Sequence, residues 1–307
     1  MRRKPRLPAL DRHLVNPSKL RGVIAAAATP IHASLEPDLE RFVALCHWLL
    51  DNGCDGLNIC GTTGEATSFS LKQRTAIMSA AAAALPCDRL MAGTGAAAIG
   101  DAVALTRHAA ELGLAGALLL PPFYYKGVED SGIATYFRHI VQATAGTPID
   151  LYLYNFPALT GVAYSPELVA NLRDELGSRI AGLKDSSGDL DYTARIAAIA
   201  PDLRVFPSNE AVLLQARAGP FAGCISASAN VNSRFCAQAF HDGNADALDR
   251  ATKIRALVSR KPLVASVKAV LAWQRQDRAF EAVLPPLSPL PEPDRVRLLD
   301  DIAPLLS

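Results

Sequence analysis

The sequence predicts a (β/α)8 barrel, or TIM barrel, followed by a C-terminal helical region. From Arg21 onward, short apolar segments that end in Gly, Thr, Pro or Asn alternate with longer amphipathic segments. Eight such units lie between residues 22 and 241. Near-continuous apolar strands separated by helices are typical of a parallel sheet covered by helices. With 307 residues, 50% of them hydrophobic and 20% charged, the chain has enough apolar surface for one large core.

The apolar segments are predicted as strands and the amphipathic segments as helices, in alternation. The predicted strands are Gly22–Ala28, Gly56–Cys60, Leu90–Thr94, Ala115–Leu120, Ile149–Asn155, Ile180–Lys184, Leu203–Phe206 and Cys224–Ala227. The predicted helices are Pro37–Asn52, Ser70–Leu85, Ile99–Leu112, Glu129–Ala145, Ser165–Leu176, Leu190–Ala200, Glu210–Ala218 and Asn232–His241. Eight units of this length suit a closed barrel. The rival is a doubly wound open sheet, which usually has fewer strands, and the first strand lacks the GxGxxG of a dinucleotide-binding sheet.

The chain divides into three predicted parts without a linker between two domains. Residues 1–20 are expected to form a basic N-terminal arm, which lacks the apolar core of a secretory signal and to which we assign no function. Residues 21–244 are expected to form the barrel. Residues 245–307 are expected to form a helical appendage packed on the barrel, with a proline-rich interruption at Pro285–Pro293.

Composition excludes several classes of function. The 31 Lys and Arg residues balance 30 Asp and Glu residues, so the basic surface of a nucleic-acid-binding protein is not expected. No apolar segment reaches the roughly 20 residues that span a bilayer. The cysteines form no CxxC pair and lie at no zinc-finger spacing, so we interpret them as reduced thiols and expect a cytoplasmic protein.

The active site of such a barrel lies at the carboxyl ends of its strands, where several polar residues of this sequence occur. The segments at those ends are Gly61–Glu65 after the second strand, Pro121–Lys126 after the fourth, Tyr154–Pro157 at the fifth, Lys184–Gly188 at the sixth, Ser208–Glu210 after the seventh and Ser226 at the eighth.

Lys184 is the most informative of these residues. It ends the apolar segment Ile180–Leu183, so its amine is expected to point into the barrel mouth. Burial disfavours an ammonium and lowers the pKa of a lysine, and a neutral amine can attack a carbonyl to form a Schiff base. The alternative is a lysine paired with Asp185 or another carboxylate.

Two further strand ends carry groups that suit the same chemistry. Tyr154 could relay protons, or it could be a core aromatic whose hydroxyl is satisfied. Thr62 and Thr63 lie in a glycine-bounded turn whose hydroxyl and N–H groups could hold a carboxylate or could simply serve as turn and cap groups. Tyr124 and its neighbour Tyr125 could be packing aromatics. Together, a lysine, a tyrosine and a carboxylate cradle on one barrel face favour a class I aldolase that acts on a 2-oxo acid.

Four motifs give the sequence a family resemblance from about Arg21 to the C-terminus. They are Gly61-Thr62-Thr63-Gly64-Glu65, Pro122-Phe123-Tyr124-Tyr125, Tyr154-Asn155-Phe156-Pro157 with Thr160-Gly161, and Gly182-Leu183-Lys184-Asp185 with Gly188-Asp189. In this order and spacing, the chain resembles the pyruvate-dependent dihydrodipicolinate synthase/N-acetylneuraminate lyase family. The resemblance implies a (β/α)8 barrel with C-terminal helices, assembled as a homotetramer that is a dimer of dimers.

The resemblance also implies roles for individual residues. Lys184 would form a Schiff base with pyruvate or a related 2-oxo acid, and Tyr154 would shuttle protons near the imine. Thr62 and Thr63 would hold the carboxylate, and Thr63 would link Tyr154 to Tyr124 of the neighbouring subunit. The backbone of Ile225 would lie near the bound acid. No metal or other cofactor is expected, because the imine itself withdraws electrons.

One departure from the family pattern bears on the second substrate. Leu159 lies two residues before Gly161. Dihydrodipicolinate synthases resemble one another in having an arginine at this position. Leucine cannot supply a guanidinium, so the resemblance is closer to the sialic-acid lyase and 2-keto-3-deoxy-sugar-acid aldolase branches. The second substrate is then expected to bind through polar side chains at the seventh and eighth strands, although Glu210 could instead begin a helix. These residues are Ser208, Asn209, Glu210 and Ser226.

Three functional interpretations remain from the sequence. The leading one is a lyase that reversibly cleaves a 2-oxo acid to pyruvate and an aldehyde. The second is a dehydratase of a keto-deoxy sugar acid, which uses the same imine but expels water. The third is a 2-oxo-acid-binding protein without turnover.

Overall fold

The computed structural model describes residues 20–307, and eight parallel strands form its centre. Their order in the sheet is β7-β6-β5-β4-β3-β2-β1-β8, and the seam between β7 and β8 is bridged where the Ala222 N–H donates to the Val205 carbonyl at 2.9 Å. This nearly closed barrel confirms the predicted fold class. The strands are β1 (Gly22–Ala26), β2 (Gly56–Ile59), β3 (Leu90–Gly93), β4 (Gly116–Leu119), β5 (Leu151–Asn155), β6 (Ile180–Asp185), β7 (Arg204–Pro207) and β8 (Gly223–Ser226).

Helices follow the strands as the alternation of the sequence predicts. The helices of the barrel are α1 (Leu39–Asp51), α2 (Leu71–Ala84), α3 (Ile99–Glu111), α4 (Asp130–Ala143), α5 (Pro157–Thr160), α6 (Pro166–Leu176), α7 (Leu190–Ala197), α8 (Leu213–Ala218) and α9 (Ala229–Ala237). Local capping sets some of their starts. Ser70, for example, forms a capping box with Gln73 and so starts α2.

Apart from helix ends that shift by one to three residues, as at α7, which ends at Ala197, the structure differs from the predicted helices at three places. The short helix α5 was not predicted, because a four-residue segment has no measurable periodicity. The segment predicted as helix from Glu210 begins with a 3₁₀ turn at Glu210–Val212. The last predicted helix begins three residues earlier than Asn232, at Ala229, and continues as a π-helical turn at Gln238–Asp242.

Alternate residues of each strand face the barrel interior and the helices. Ile24, Met91, Tyr152, Phe206 and Ile225 belong to a cluster inside the barrel, whereas their strand neighbours pack outward in the larger core beneath the helices. This alternation follows from the two-residue period of a strand. It decides which strand residues can reach the mouth of the barrel.

Three helices follow the barrel: α10 (Ala245–Val258), α11 (Leu263–Arg275) and α12 (Glu292–Leu306). Helix α11 is buried throughout Ala265–Ala272. The predicted proline-rich interruption lies between α11 and α12, except that Pro293 is in the first turn of α12, where proline is tolerated. The predicted N-terminal arm lies outside the described residues except for Leu20, which packs in the interior cluster.

Candidate active site

Tyr154 and Lys184 face each other across neighbouring strands at the carboxyl end of the barrel. The two residues are register partners in the parallel ladder between β5 and β6. Tyr152 and Tyr154 point inward while Leu151 and Leu153 point outward. Both Tyr154 and Lys184 are 3% exposed. The structure therefore brings the two principal predicted residues together in a protected part of the barrel mouth.

The Lys184 amine rests against the tyrosine ring rather than against an acid. Its Nζ lies 4.3 Å from the centroid of the Tyr154 ring. Within residues 20–307, no carboxylate oxygen lies within the 4.0 Å that defines an ion pair with this amine. The neighbouring Asp185 carboxylate points to the helix layer, where three other groups satisfy it: Asn155 Nδ2 at 2.7 Å, Ser187 Oγ at 2.8 Å and Thr193 Oγ1 at 3.0 Å. The alternative of a Lys184–Asp185 pair is therefore wrong.

The Tyr154 hydroxyl is surrounded by polar groups of the site. It lies 3.4 Å from Thr62 Oγ1. Burial alone would raise the pKa of Tyr154, but the positive charge of Lys184 and hydrogen bonds with Thr62, Ser186 and Lys184 outweigh this effect, and the net pKa of the phenol lies below its ordinary value. The phenol is thus electrostatically prepared to give up a proton.

The turn after β2 has a conformation that depends on its glycines. A Cβ on Gly61 would lie 2.6 Å from Asn58 Oδ1, and a Cβ on Gly64 would lie 2.8 Å from the Ala27 carbonyl oxygen. Within the turn, the Glu65 N–H donates to the Thr62 carbonyl at 3.0 Å. The compact path therefore requires glycine at position 64, where a Cβ would meet backbone, whereas a Cβ at position 61 would require the Asn58 side chain to move.

The two threonines of the turn occupy different environments. Thr62 is partly exposed and reaches Tyr154, whereas Thr63 is buried. Among the described residues, the Thr63 hydroxyl makes no hydrogen bond to Tyr154 or Tyr124. The predicted role of Thr63 as the link to Tyr154 is therefore corrected: Thr62 is the threonine in reach. The sequence could not distinguish two adjacent hydroxyls, because their directions depend on the backbone path of the turn, which has no sequence periodicity.

Tyr124 is separated from the other predicted site residues in the single chain. It lies in the loop between β4 and α4 and is 74% exposed, and its ring meets that of the equally exposed Tyr125 edge to face at 5.3 Å between centroids. These tyrosines are therefore not core packing residues. Within the described part of one chain, Tyr124 makes no hydrogen bond to Thr62 or Tyr154.

The predicted second-substrate residues at β7 and β8 fall into two groups. Glu210 and Ser226 are both fully buried. The Glu210 carboxylate accepts hydrogen bonds from Ser226 Oγ at 2.8 Å, Ser228 Oγ at 2.5 Å and Arg255 at 3.0 Å. Ser226 follows the inward-facing Ile225 by one residue, so it faces outward. The prediction that Glu210 and Ser226 bind the second substrate is therefore wrong.

The remaining residues of this group stay closer to the barrel mouth. Ser208 is partly exposed and follows the inward-facing Phe206 by two residues, so it faces the mouth. Asn209 is exposed, but its Oδ1 caps the 3₁₀ turn by accepting from the Ala211 N–H at 3.0 Å. Ile225 lies on β8 with its side chain in the interior cluster. Of the four predicted polar residues, Ser208 is the best placed to meet a substrate.

The structure adds residues to which the sequence assigned no role. Ser186 contributes to the lowered pKa of Tyr154, and its place two residues after Lys184 was a usable signal. Lys268, on α11, pairs with Glu65 at the end of the glycine-bounded turn. The separation of these two residues in the sequence hid that contact.

Residues 20–307 contain neither a metal-binding cluster nor a membrane-spanning helix. No group of three or more His, Cys, Asp or Glu side chains in this range could hold a metal ion. None of the helices in the described part of the chain is long and apolar enough to cross a membrane. The six cysteines are all unpaired, and all but Cys87 are buried.

Comparison with known proteins gives a consistent family. Residues 19–303 match the model of the dihydrodipicolinate synthetase family. An uncharacterized DapA-like lyase of Chloroflexus aurantiacus is 35% identical over 278 residues, which cover 88% of this chain and 92% of the relative.

Two solved structures extend the comparison. The dihydrodipicolinate synthase of Agrobacterium tumefaciens superposes with a TM-score of 0.88 at 28% identity, covering 94% of this chain and 100% of the other. YagE, a prophage protein of the dihydrodipicolinic acid synthase family from E. coli K12 solved in complex with pyruvate, gives a TM-score of 0.84 at 26% identity, with 94% and 99% covered.

Proposed function

This chain belongs to the dihydrodipicolinate synthetase family and is a lyase of the class I aldolase type, and we propose that Lys184 forms a Schiff base with pyruvate or a related 2-oxo acid. The observation that carries the proposal is the buried Lys184 amine, which rests on the Tyr154 ring without an acid partner among the described residues. The pyruvate complex of the similar protein YagE supports the choice of acid. The third interpretation, a binding protein without turnover, is not retained.

The proposed reaction begins when the Tyr154 phenolate takes a proton from the Lys184 ammonium and the neutral amine so formed attacks C2 of the 2-oxo acid. Tyr154 returns that proton to the carbinolamine hydroxyl, which leaves as water and gives a protonated imine. In the cleavage direction, Tyr154 takes the proton from the C4 hydroxyl, the C3–C4 bond breaks, and its electron pair moves into the imine to form an enamine while the aldehyde leaves. Protonation of C3 and hydrolysis of the imine then release pyruvate and restore Lys184. No metal or organic cofactor takes part in this proposed sequence.

The carboxylate of the 2-oxo acid is assigned to the turn after β2. Backbone N–H and hydroxyl groups of such a turn suit an anion. Thr62 and Thr63 lie in this turn, and Thr62 also contacts the Tyr154 hydroxyl. The carboxylate would then hold C2 between the turn and Lys184. The backbone of Ile225 is proposed to line the opposite side.

We propose a 2-keto-3-deoxy sugar acid, or a sialic-acid-like compound, as the substrate to be cleaved. Leu159 is 62% exposed at the position where an arginine is expected in dihydrodipicolinate synthases, so no guanidinium is available there for a second carboxylate. Ser208 is the polar group proposed to meet the hydroxylated part of the substrate, with Asn209 beside it. The alternatives are dihydrodipicolinate synthase activity, which is that of the similar Agrobacterium tumefaciens protein, and dehydration of the same sugar acids.

Product analysis separates these reactions. We expect the protein, incubated with a panel of 2-keto-3-deoxy acids, to release pyruvate and an aldehyde, and borohydride to trap pyruvate on the protein. Pyruvate is measured with a coupled dehydrogenase and the remaining carbon by mass spectrometry. A product that retains every carbon would identify a dehydratase instead. Condensation of pyruvate with an aldehyde that carries a second carboxylate, without cleavage of the sugar acids, would contradict the proposed substrate class.

We further propose that the active form is a homo-oligomer, a dimer of dimers, in which Tyr124 completes the site of the neighbouring subunit. The high exposure of Tyr124 and Tyr125 in the single chain supports this assignment, because two adjacent exposed aromatic rings are typical of a protein contact surface. The unpaired cysteines are consistent with the proposed cytoplasmic location.

Mixed oligomers test this shared site. We expect Tyr124→Phe alone to weaken activity, because the relay from Thr62 loses its hydroxyl. Mixing Tyr124→Phe with the inactive Lys184→Ala should restore about half of the wild-type activity per mixed dimer, since one of its two sites is then complete. Tyr125→Phe is the matched control, with a similarly exposed ring, and should keep full activity. Failure of the mixed oligomers to gain activity would contradict the shared site.

A further inference from the structure

The turn that is proposed to hold the carboxylate is tied to the C-terminal helices by a buried ion pair. Lys268 Nζ, on α11, donates to Glu65 Oε1, and both side chains are completely shielded from solvent. The other carboxylate oxygen of Glu65 accepts from the Leu284 N–H at 2.6 Å. Lys268 also donates to the Ala282 carbonyl at 2.7 Å. The two charges are therefore satisfied by each other and by one backbone segment.

The backbone at Glu65 requires support of this kind. Its φ is 56°, in the left-handed region that disfavours residues with a Cβ. Such a conformation persists only where the surrounding structure holds it. Here the surrounding groups belong to the C-terminal region. A second contact joins the same two segments, because Ser68 Oγ donates to the Pro285 carbonyl at 3.2 Å.

We propose that Glu65 and Lys268 are positioning residues, which hold the Gly61–Gly64 turn in the conformation that receives the carboxylate of the 2-oxo acid. This inference rests on the proposed function of the turn. It gives α11 and residues 282–285 a part in substrate binding, although none of them belongs to the barrel. Neither charge touches the reacting atoms, so the pair acts through the turn.

The expected signature is a change in substrate affinity that exceeds the change in maximal rate. The Glu65 N–H donates to the Thr62 carbonyl, and the Ala66 N–H donates to that of Gly61 at 3.2 Å, so a shift of Glu65 moves the turn directly. Tyr154 lies on β5 and Lys184 on β6, in a ladder that does not involve the turn, and only the Tyr154 hydroxyl meets the turn, at Thr62. Displacement of a binding group by about 1 Å is enough for a large loss of function.

The double variant E65Q/K268M tests the pair without leaving an unpaired buried charge. Removing one partner of a buried ion pair strongly destabilises a protein, whereas replacing both with neutral groups of similar size is often tolerated. The amide oxygen that E65Q introduces can still accept from the Leu284 N–H. We expect the pyruvate concentration that gives half-maximal borohydride trapping to rise roughly tenfold or more, and the trapping rate at saturating pyruvate to change by less than about threefold.

A matched control replaces an ion pair at the opposite end of the barrel. Asp150 and a partly exposed Arg204 are joined at 2.8 Å where β5 and β7 begin, so D150N/R204M removes a less buried ion pair without touching the turn and should bind pyruvate like the wild type. Thermal unfolding of all three proteins is followed by circular dichroism. If E65Q/K268M unfolds before the assay temperature, E65D, which keeps the charge but shortens its reach, replaces it with the same expected result.

Each outcome decides a different point. A folded E65Q/K268M or E65D protein with unchanged half-saturation overturns the positioning role. Equal weakening in D150N/R204M also overturns it, because the effect would then reflect general destabilisation. If wild-type protein itself fails to trap pyruvate or any other 2-oxo acid, the proposed function falls and the positioning role falls with it.

Discussion

Lys184→Ala is expected to eliminate borohydride trapping of pyruvate and to lower turnover by roughly four orders of magnitude or more, because no other group can supply the imine. The fold should persist. The Lys184 side chain is buried among Tyr154 and neighbouring strand residues without an ion pair in the described chain, so the substitution leaves no carboxylate unpaired. The measurement is intact mass after incubation with pyruvate and borohydride, together with the thermal unfolding midpoint.

Lys72→Ala is the control for non-specific trapping. Lys72 is exposed in the first turn of α2, and its loss should leave both the adduct and the turnover unchanged. An adduct of equal yield in folded Lys184→Ala would place the nucleophile elsewhere and contradict the proposed mechanism. If Lys184→Ala loses both the adduct and the folded state, Lys184→Met is tested instead, because methionine keeps the bulk of the side chain in the barrel mouth.

The barrel was predictable because its signal is repeated. Each strand is an apolar segment bounded by Gly, Thr, Pro or Asn, and eight repetitions outweigh an uncertain boundary in any one of them. The helix α5 shows the limit of this approach. It begins at Pro157 and ends before Gly161, and only tertiary contacts distinguish such a segment from a turn.

The site was predictable where position along a strand decides the direction of a side chain. Lys184 and Tyr154 end apolar strands, and the strand period places them together at the mouth. The same period places the side chains of Ile225 and Ser226 on opposite faces of β8, and the structure shows that Ile225 is the inward-facing one. Glu210 was beyond this reasoning, because its Arg255 partner comes from α10 and long-range pairs leave no local pattern.

Tyr154→Phe is expected to lower turnover by about two to three orders of magnitude while Lys184 still forms some imine, because general acid–base catalysis contributes on that scale. The change keeps the ring under the Lys184 amine and removes only the hydroxyl that contacts Thr62. The pKa of this phenol lies below its ordinary value. In the cleavage direction the phenolate is the active form, so wild-type activity should fall as pH decreases through that lowered pKa, and this acidic limb should disappear in Tyr154→Phe.

Tyr152→Phe separates proton transfer from the loss of any buried hydroxyl. Tyr152 precedes Tyr154 by two residues on the same inward face of β5, and its hydroxyl accepts from Arg204 Nε at 2.9 Å, deeper in the barrel. Its loss removes one charge-assisted hydrogen bond, which contributes about 1.5–3 kcal/mol to stability, but no group near the reacting atoms. We therefore expect Tyr152→Phe to lower the unfolding midpoint and to keep the acidic limb. Tyr154→Phe should keep the unfolding midpoint and lose the acidic limb. If the two variants lose turnover equally and both keep the limb, Tyr154 is a packing residue and the proton must move through Thr62 or Ser186 without it.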